Sequence, residues 1–167
     1  DILTINTTPS PVIGGRNVYC SGETLSLNVS GGTTGLSTYN WAGPNGFSST
    51  TSSAVIANAA STYSGAYTVT VANGVCSAST SIGVTINGRP IVTLSASPNP
   101  ICQGSPTTIS ATVSGGKVSY FQWANALGFS TSSGNPTIVQ TPAQSTIYTI
   151  TAYGSGECNG TNTLSVS

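Results

Sequence analysis

The chain has 167 residues, and only six of them are charged, three basic and three acidic, for a net charge of zero. With no basic excess there is no electrostatic footprint for nucleic acid or anionic lipid. With no histidine, neither a Ser–His–Asp nor a Cys–His catalytic arrangement can be built.

The length points to two domains of about 80 residues, each with a modest core that would gain from an extra staple. β-Branched residues are plentiful and charge is scarce, the reverse of a disordered chain. The surface must therefore be dressed in Ser, Thr, Asn and Gly, which suits a protein living outside the cell. Met is absent even at position 1, so a processed form or an internal piece of a longer protein is expected. No signal peptide is read in these residues, and no apolar run approaches the roughly 18 residues of a membrane span, so no membrane insertion is expected. Four regularly spaced cysteines point to an oxidising compartment, extracellular or at the cell surface.

In chain order, Leu25, Leu27 and Val29 alternate with Ser26 and Asn28, the period of a half-buried strand. Tyr39 and Trp41 share one face of the next run. Tyr67, Val69 and Val71 alternate with Thr68 and Thr70, and Asn73-Gly74 then supplies a hairpin turn. Ile82, Val84 and Ile86 form the last strand before residues 86–90, Ile-Asn-Gly-Arg-Pro, which read as a short linker. Ile109, Ala111 and Val113 restart the pattern. Phe121 and Trp123 follow, then Tyr148 and Ile150 facing opposite Ile147, Thr149 and Thr151. No helical period intervenes.

The restart is a repeat. Cys20 maps to Cys102, Trp41 to Trp123, Phe47 to Phe129 and Cys76 to Cys158, each 82 residues on. "NVSGG" matches "TVSGG", and "YTVTVANGVC" matches "YTITAYGSGEC" with one inserted residue. The first copy carries about seven extra residues, Ile13 to Tyr19, before its cysteine. Tandem domains over 1–87 and 88–167 follow, joined end to end. Six or seven short strands per copy predict an all-β chain of two Ig-like β-sandwiches. The expected core is Leu25, Leu27, Val29, Trp41, Tyr67, Val69 and Val71 in the first copy. In the second it is Ile109, Val113, Trp123, Tyr148 and Ile150.

A Cys-x-Gly, a strand ending Ser-Gly-Gly, an aromatic-x-Trp and a Tyr-Thr-Val-Thr-Val-x-Asn-Gly-x-Cys run resemble the Ig-like and PKD-like repeats of secreted and cell-surface Bacteroidota proteins. The resemblance covers nearly the whole chain, twice. It implies an extracellular structural or adhesive role, export by the type IX system and no catalytic residue. Two functions compete. In one, the domains are spacers of a large surface adhesin or fibre, with neighbouring Ig-like repeats or copies of the same protein as partners. In the other, a loop end of one domain binds a surface glycan or protein.

Catalysis finds little to use. Glu23 and Glu157 are the only internal acids and fall in different domains, so a converging acid–base pair is not expected. Cysteine pairs 56 residues apart lack the close spacing of a zinc knuckle, and calcium wants clustered acids. No metal, no cofactor and no enzyme activity are expected. Trp41 and Trp123 invite a sugar-stacking reading, but Ig-like sandwiches bury a Trp in this strand, and core packing is the expectation. Tyr120 and Tyr153, near predicted loops, are the better candidates for exposed rings. Sequons at Asn6, Asn28 and Asn159 are expected by coincidence in so Asn- and Thr-rich a chain.

In an Ig-like sandwich the second and sixth strands run the same way, so the chain enters and leaves at opposite ends. Arg16 and Glu23 then fall at the bottom of domain one, Arg89 in the linker, and Lys117 and Glu157 at the top of domain two. These five charges are expected at one junction, with Arg16 or Arg89 near Glu157. Each first cysteine precedes the second strand and each second cysteine follows the sixth, which puts them at opposite ends of one sandwich. A six-residue strand spans roughly 20 Å, whereas bridged cysteines need Cα atoms within about 7 Å. That geometry favours a Cys20–Cys158 bridge between domains, leaving Cys76 and Cys102 for neighbouring repeats or molecules. The habitual pairing, Cys20–Cys76 with Cys102–Cys158, stays open.

Overall fold

A computed structural model describes residues 7–32 and 37–167. The chain divides into two compact units, Asp1–Asn87 and Gly88–Ser167. Both are all-β, with three-residue 3₁₀ turns as the only helical segments among the described residues.

Among its described residues unit one has eight strands: β1 (Val12–Gly15), β2 (Val18–Cys20), β3 (Leu25–Ser30), β4 (Thr38–Ala42), β5 (Ser48–Ser49), β6 (Ser53–Ile56), β7 (Gly65–Asn73) and β8 (Cys76–Asn87). One sheet has the order β1-β3-β6 and the other β2-β8-β7-β4-β5. Unit two has seven: β9 (Ile91–Ser97), β10 (Thr107–Ser114), β11 (Val118–Asn125), β12 (Ser130–Ser133), β13 (Thr137–Gln140), β14 (Thr146–Gly154) and β15 (Asn159–Val166). Its sheets run β13-β10-β9 and β12-β11-β14-β15. In each unit the first, second and fifth strands of the frame form one sheet, and the third, fourth, sixth and seventh form the other. That is the Ig-like sandwich.

The alternation read from the sequence builds both cores. Leu25 and Leu27 are fully buried while Ser26 and Asn28 face solvent, so one face of β3 carries the burial. Trp41, Tyr67, Val69 and Val71 meet them from the opposite sheet. In unit two Ile109, Trp123, Tyr148 and Ile150 repeat the packing. Val29 and Val113 are only half-buried. They are the last inward residues before the Ser-Gly-Gly turns, where the sheets stop covering one another.

Two repeated motifs find their cause here. The Phe of each Gly-Phe-Ser lies edge-on to a core tyrosine: Phe47 to Tyr67 at 5.7 Å and Phe129 to Tyr148 at 6.5 Å, a favoured aromatic geometry. The Tyr67 hydroxyl donates to the Tyr63 carbonyl at 2.9 Å, the tyrosine corner of Ig-like sandwiches. Burial pushes the Tyr67 phenol above its ordinary pKa, and the neighbouring Tyr63 adds to the rise. Ser-Gly-Gly is a clearance device. Gly31 sits at φ +79 with its carbonyl accepting the Ser10 N–H, and a Cβ there would overlap the Ser10 backbone. Gly115, at φ +83, leaves the same room for the Arg89 carbonyl.

The Asn73-Gly74 turn expected from the sequence falls one residue later. The β7–β8 turn is centred on Gly74-Val75, because Asn73 pairs with Cys76. With φ +61 at Gly74 alone, it is the turn type that takes glycine first, not the Asn-Gly type. The extra Ile13–Tyr19 segment has a place in the sandwich. It folds into β1, which pairs with β3, and β2, which runs parallel to β8. Switching sheets midway satisfies its backbone groups on two edges at once.

Candidate functional site

The chemistry-bearing residues collect at unit ends rather than in a cleft. At the end of unit one where β8 runs out, Cys20 is opposite Asn87 in the parallel register, and the Ser21 N–H donates to the Asn87 carbonyl. Arg16 Nη2 reaches Glu23 Oε2 at 2.9 Å, and the same oxygen accepts the Cys20 N–H at 3.1 Å. The Arg16 guanidinium also lies 4.5 Å over the Tyr19 ring. The junction expectation put Arg16 or Arg89 near Glu157; within unit one Arg16 pairs with Glu23. Exposed pairs and exposed cation–π contacts are each worth about 0–1 kcal/mol. Arg16→Ala is therefore expected to cost unit one about 1 kcal/mol in urea denaturation, and a loss above about 3 kcal/mol would mark a buried role.

At the end of unit two where the chain comes in, Gly88 packs on the Gly115-Gly116 turn, which puts Arg89 beside that turn. Lys117 follows it, and Val118 pairs with Gly154, next to the turn holding Glu157 and Cys158. Arg89, Lys117 and Glu157 thus share one end of their unit.

The four cysteines differ in state. Cys20 and Cys158 are each in disulfide form and buried. Cys76 and Cys102 carry thiols, and Cys102 is exposed. Cys20 lies level with the last residue of β8 and Cys76 is its first. Eleven residue steps separate those levels, about 35 Å at strand rise, far beyond the roughly 7 Å a bridge allows. In unit two Cys158 immediately precedes β15, while the Ile101 N–H next to Cys102 donates to Ser167 just past the end of β15. That separation is about 30 Å. Beside Cys102 lies a pocket of about 180 Å³ whose apolar wall is Ile101, Pro142, Ala143 and Val166.

The aromatic expectations divide. Trp41, Trp123, Tyr67 and Tyr148 are buried. Trp41 Nε1 donates to the Thr51 carbonyl at 3.0 Å; Trp123 Nε1 is buried and has no hydrogen-bond acceptor among the described residues. Tyr120 is 43% exposed and stacks on half-buried Tyr153, with centroids 4.5 Å apart and planes 7° from parallel. A shallow groove of about 520 Å³ runs past them, lined also by Ser119, Gly154, Glu157 and Asn159. Of the sequons, Asn28 is exposed, Asn159 is half-buried, and Asn6 lies outside the described residues. Among the described residues no three His, Cys, Asp or Glu side chains gather to hold a metal ion, and no helix is long and apolar enough to cross a membrane.

No protein-family model matches the chain, and no curated protein does. Solved structures similar to it include the N-terminal four Ig domains of Dscam1 isoform 6.9, 14% identical, with a TM-score of 0.45 over 96% of this chain and 47% of that one. The three N-terminal domains of the bacteriophage RB49 Highly Immunogenic Outer Capsid protein are 18% identical, with a TM-score of 0.47 over 95% and 58%. The Clostridium thermocellum CbhA fibronectin(III)-like modules are 17% identical, with a TM-score of 0.44 over 93% and 92%. The chain spans about half the length of the first of these.

Proposed function

We propose that the two Ig-like units are extracellular spacer modules of a larger surface adhesin or fibre, of the kind secreted by Bacteroidota through the type IX system. The observation that carries this is the state and placement of the cysteines. Both oxidised cysteines lie at unit ends near the chain crossing, and pairing inside a unit would need to span a whole sandwich. These two observations support the proposed Cys20–Cys158 bridge, which would tie one unit to the next.

The same stagger continued along an array would join Cys102 to a following repeat or a second copy, and Cys76 to a preceding one. The apolar pocket beside Cys102 gives a following unit a surface to seat on. Arg16 and Glu23 at the end of unit one, with Arg89 and Lys117 at the entry end of unit two, are proposed to set the angle between units. A chain cross-linked in this way is stiff and protease-resistant, as a stalk must be. Spacing asks for no active site, cofactor or metal.

Peptide mapping without reduction tests the bridge: a Cys20–Cys158 peptide is expected, and a Cys20–Cys76 peptide would overturn both stagger and spacer. In ¹⁵N relaxation the two units should share one tumbling time. Cys20→Ser with Cys158→Ser should separate those times while leaving each unit folded.

A further inference from the structure

We propose that the groove beside Tyr120 and Tyr153 on unit two is a binding site for a neutral saccharide. This stands apart from the spacer reading, since the groove belongs to unit two whatever the two units space.

The internal repeat supplies the control. Tyr120 faces Tyr153 across β11 and β14, and at the matching place in unit one Thr38 faces Ala72 across β4 and β7. The sandwich therefore closes without an aromatic pair there. Nor does the inner core use these rings, since Phe121 and Trp123 fill it from the other face of β11. A register irregularity between Val118 and Tyr120 is the kind of bulge that re-aims a side chain.

The rest of the groove differs from unit one in the same sense. Glu157 replaces Val75 at the hairpin tip and holds φ +63, a backbone region that non-glycine residues enter at a cost. Asn159 replaces Ser77 and accepts the Gly154 N–H at Oδ1, which leaves its –NH₂ as donor. The Tyr153 hydroxyl donates to Gln122 Oε1 at 2.8 Å, and Tyr120 stacks on it, so the ring pair is set before any ligand arrives. Preorganised contacts lose less entropy on binding.

These groups match a pyranose. An aromatic face takes the apolar C–H face of the sugar, a carboxylate accepts from its hydroxyls, and an amide –NH₂ donates to a ring or hydroxyl oxygen. The single lining charge is negative, which disfavours acidic sugars. A peptide would ask for unpaired strand edges, and the groove lies on a sheet face and turn.

The test titrates the two-unit chain with maltohexaose, cellohexaose and hexa-N-acetylchitohexaose, with oligogalacturonate as the acidic control, and reads ¹H–¹⁵N shifts. At least one neutral glycan should give saturable shifts confined to residues 118–122 and 153–160, leaving Thr38 and Ala72 unmoved. Tyr120→Leu or Tyr153→Leu should weaken binding about tenfold or more, the loss of a stacking contact. Tyr120→Phe should bind like the parent. Glu157→Gln, on an exposed turn, should weaken it severalfold and keeps the test decisive if a leucine variant does not fold. The proposal fails if no neutral glycan saturates up to about 20 mM, if oligogalacturonate binds more tightly, or if Tyr120→Leu or Glu157→Gln leaves affinity unchanged. The peptide map is indifferent to all of these outcomes, so the two proposals stand or fall separately.

Discussion

Trp41→Ala is expected to destabilise unit one by about 3–5 kcal/mol, the range for deleting a large buried aromatic. The side chain is fully buried between the two sheets, so neighbours cannot close the hole without moving strands. Trp123→Ala should cost unit two a similar amount. Phenylalanine separates the two sites. Trp41→Phe removes the hydrogen bond to Thr51, whereas Trp123→Phe removes a buried N–H that has no acceptor among the described residues. A buried unsatisfied donor costs about 1–3 kcal/mol, so Trp123→Phe should be the milder change by about 1 kcal/mol or more. Native-state hydrogen exchange at β7 and β14 reads each unit by itself, since each substitution also removes its own unit's indole fluorophore. A loss below about 1 kcal/mol for either alanine variant would mean that the ring is not in the core.

The second large effect is at Gly31. Alanine there meets two costs together: a left-handed backbone at φ +79 and overlap with the Ser10 backbone. Gly46 isolates the first cost, since it holds φ +71 with nothing within 4 Å of the added methyl. Gly46→Ala should cost about 1 kcal/mol, the left-handed penalty partly offset by a stiffer unfolded chain. Gly31→Ala should cost about 3 kcal/mol or more, because the segment leading into β1 must be displaced. Chemical denaturation monitored by far-ultraviolet circular dichroism measures both. Equal losses would show that the conformation alone, and not the crossing segment, requires glycine in Ser-Gly-Gly.

What could be read from residues alone was what strand period controls. Leu25, Leu27, Tyr67 and Val69 declare their faces because one residue of slip would turn them all to solvent. Trp41 and Trp123 could be assigned to the core because the same strand carries a buried Trp throughout such sandwiches. Three features were hidden for separate reasons. β2 is three residues long and pairs in parallel with residues 67 positions later, so no local pattern marks it. The β7–β8 turn is shifted by one residue because Gly74 decides its type and Asn73 stays in the ladder. The Tyr120–Tyr153 stack depends on register across two strands, together with an irregularity that no period reveals. Each tyrosine reads as a surface candidate by its place near a loop, but their contact does not show in the sequence of either strand. The signal for it was in the repeat: at two facing positions, rings stand where the first copy has Thr and Ala.

On the outer sheet faces, Thr70 and Ser79 share a hydrogen bond across β7 and β8 at 2.8 Å, and Thr151 and Thr161 do so across β14 and β15 at 3.3 Å. Cross-strand neighbours on many exposed sheets are Lys and Glu, whose attraction fades as dissolved ions screen it over about 10 Å at 0.1 M. Hydroxyl pairs have no net charge to screen and nothing to titrate near neutrality. The faces of these sheets therefore keep the same cross-links in brine and in fresh water, and through acid and alkaline swings that would disarm a surface held together by ions.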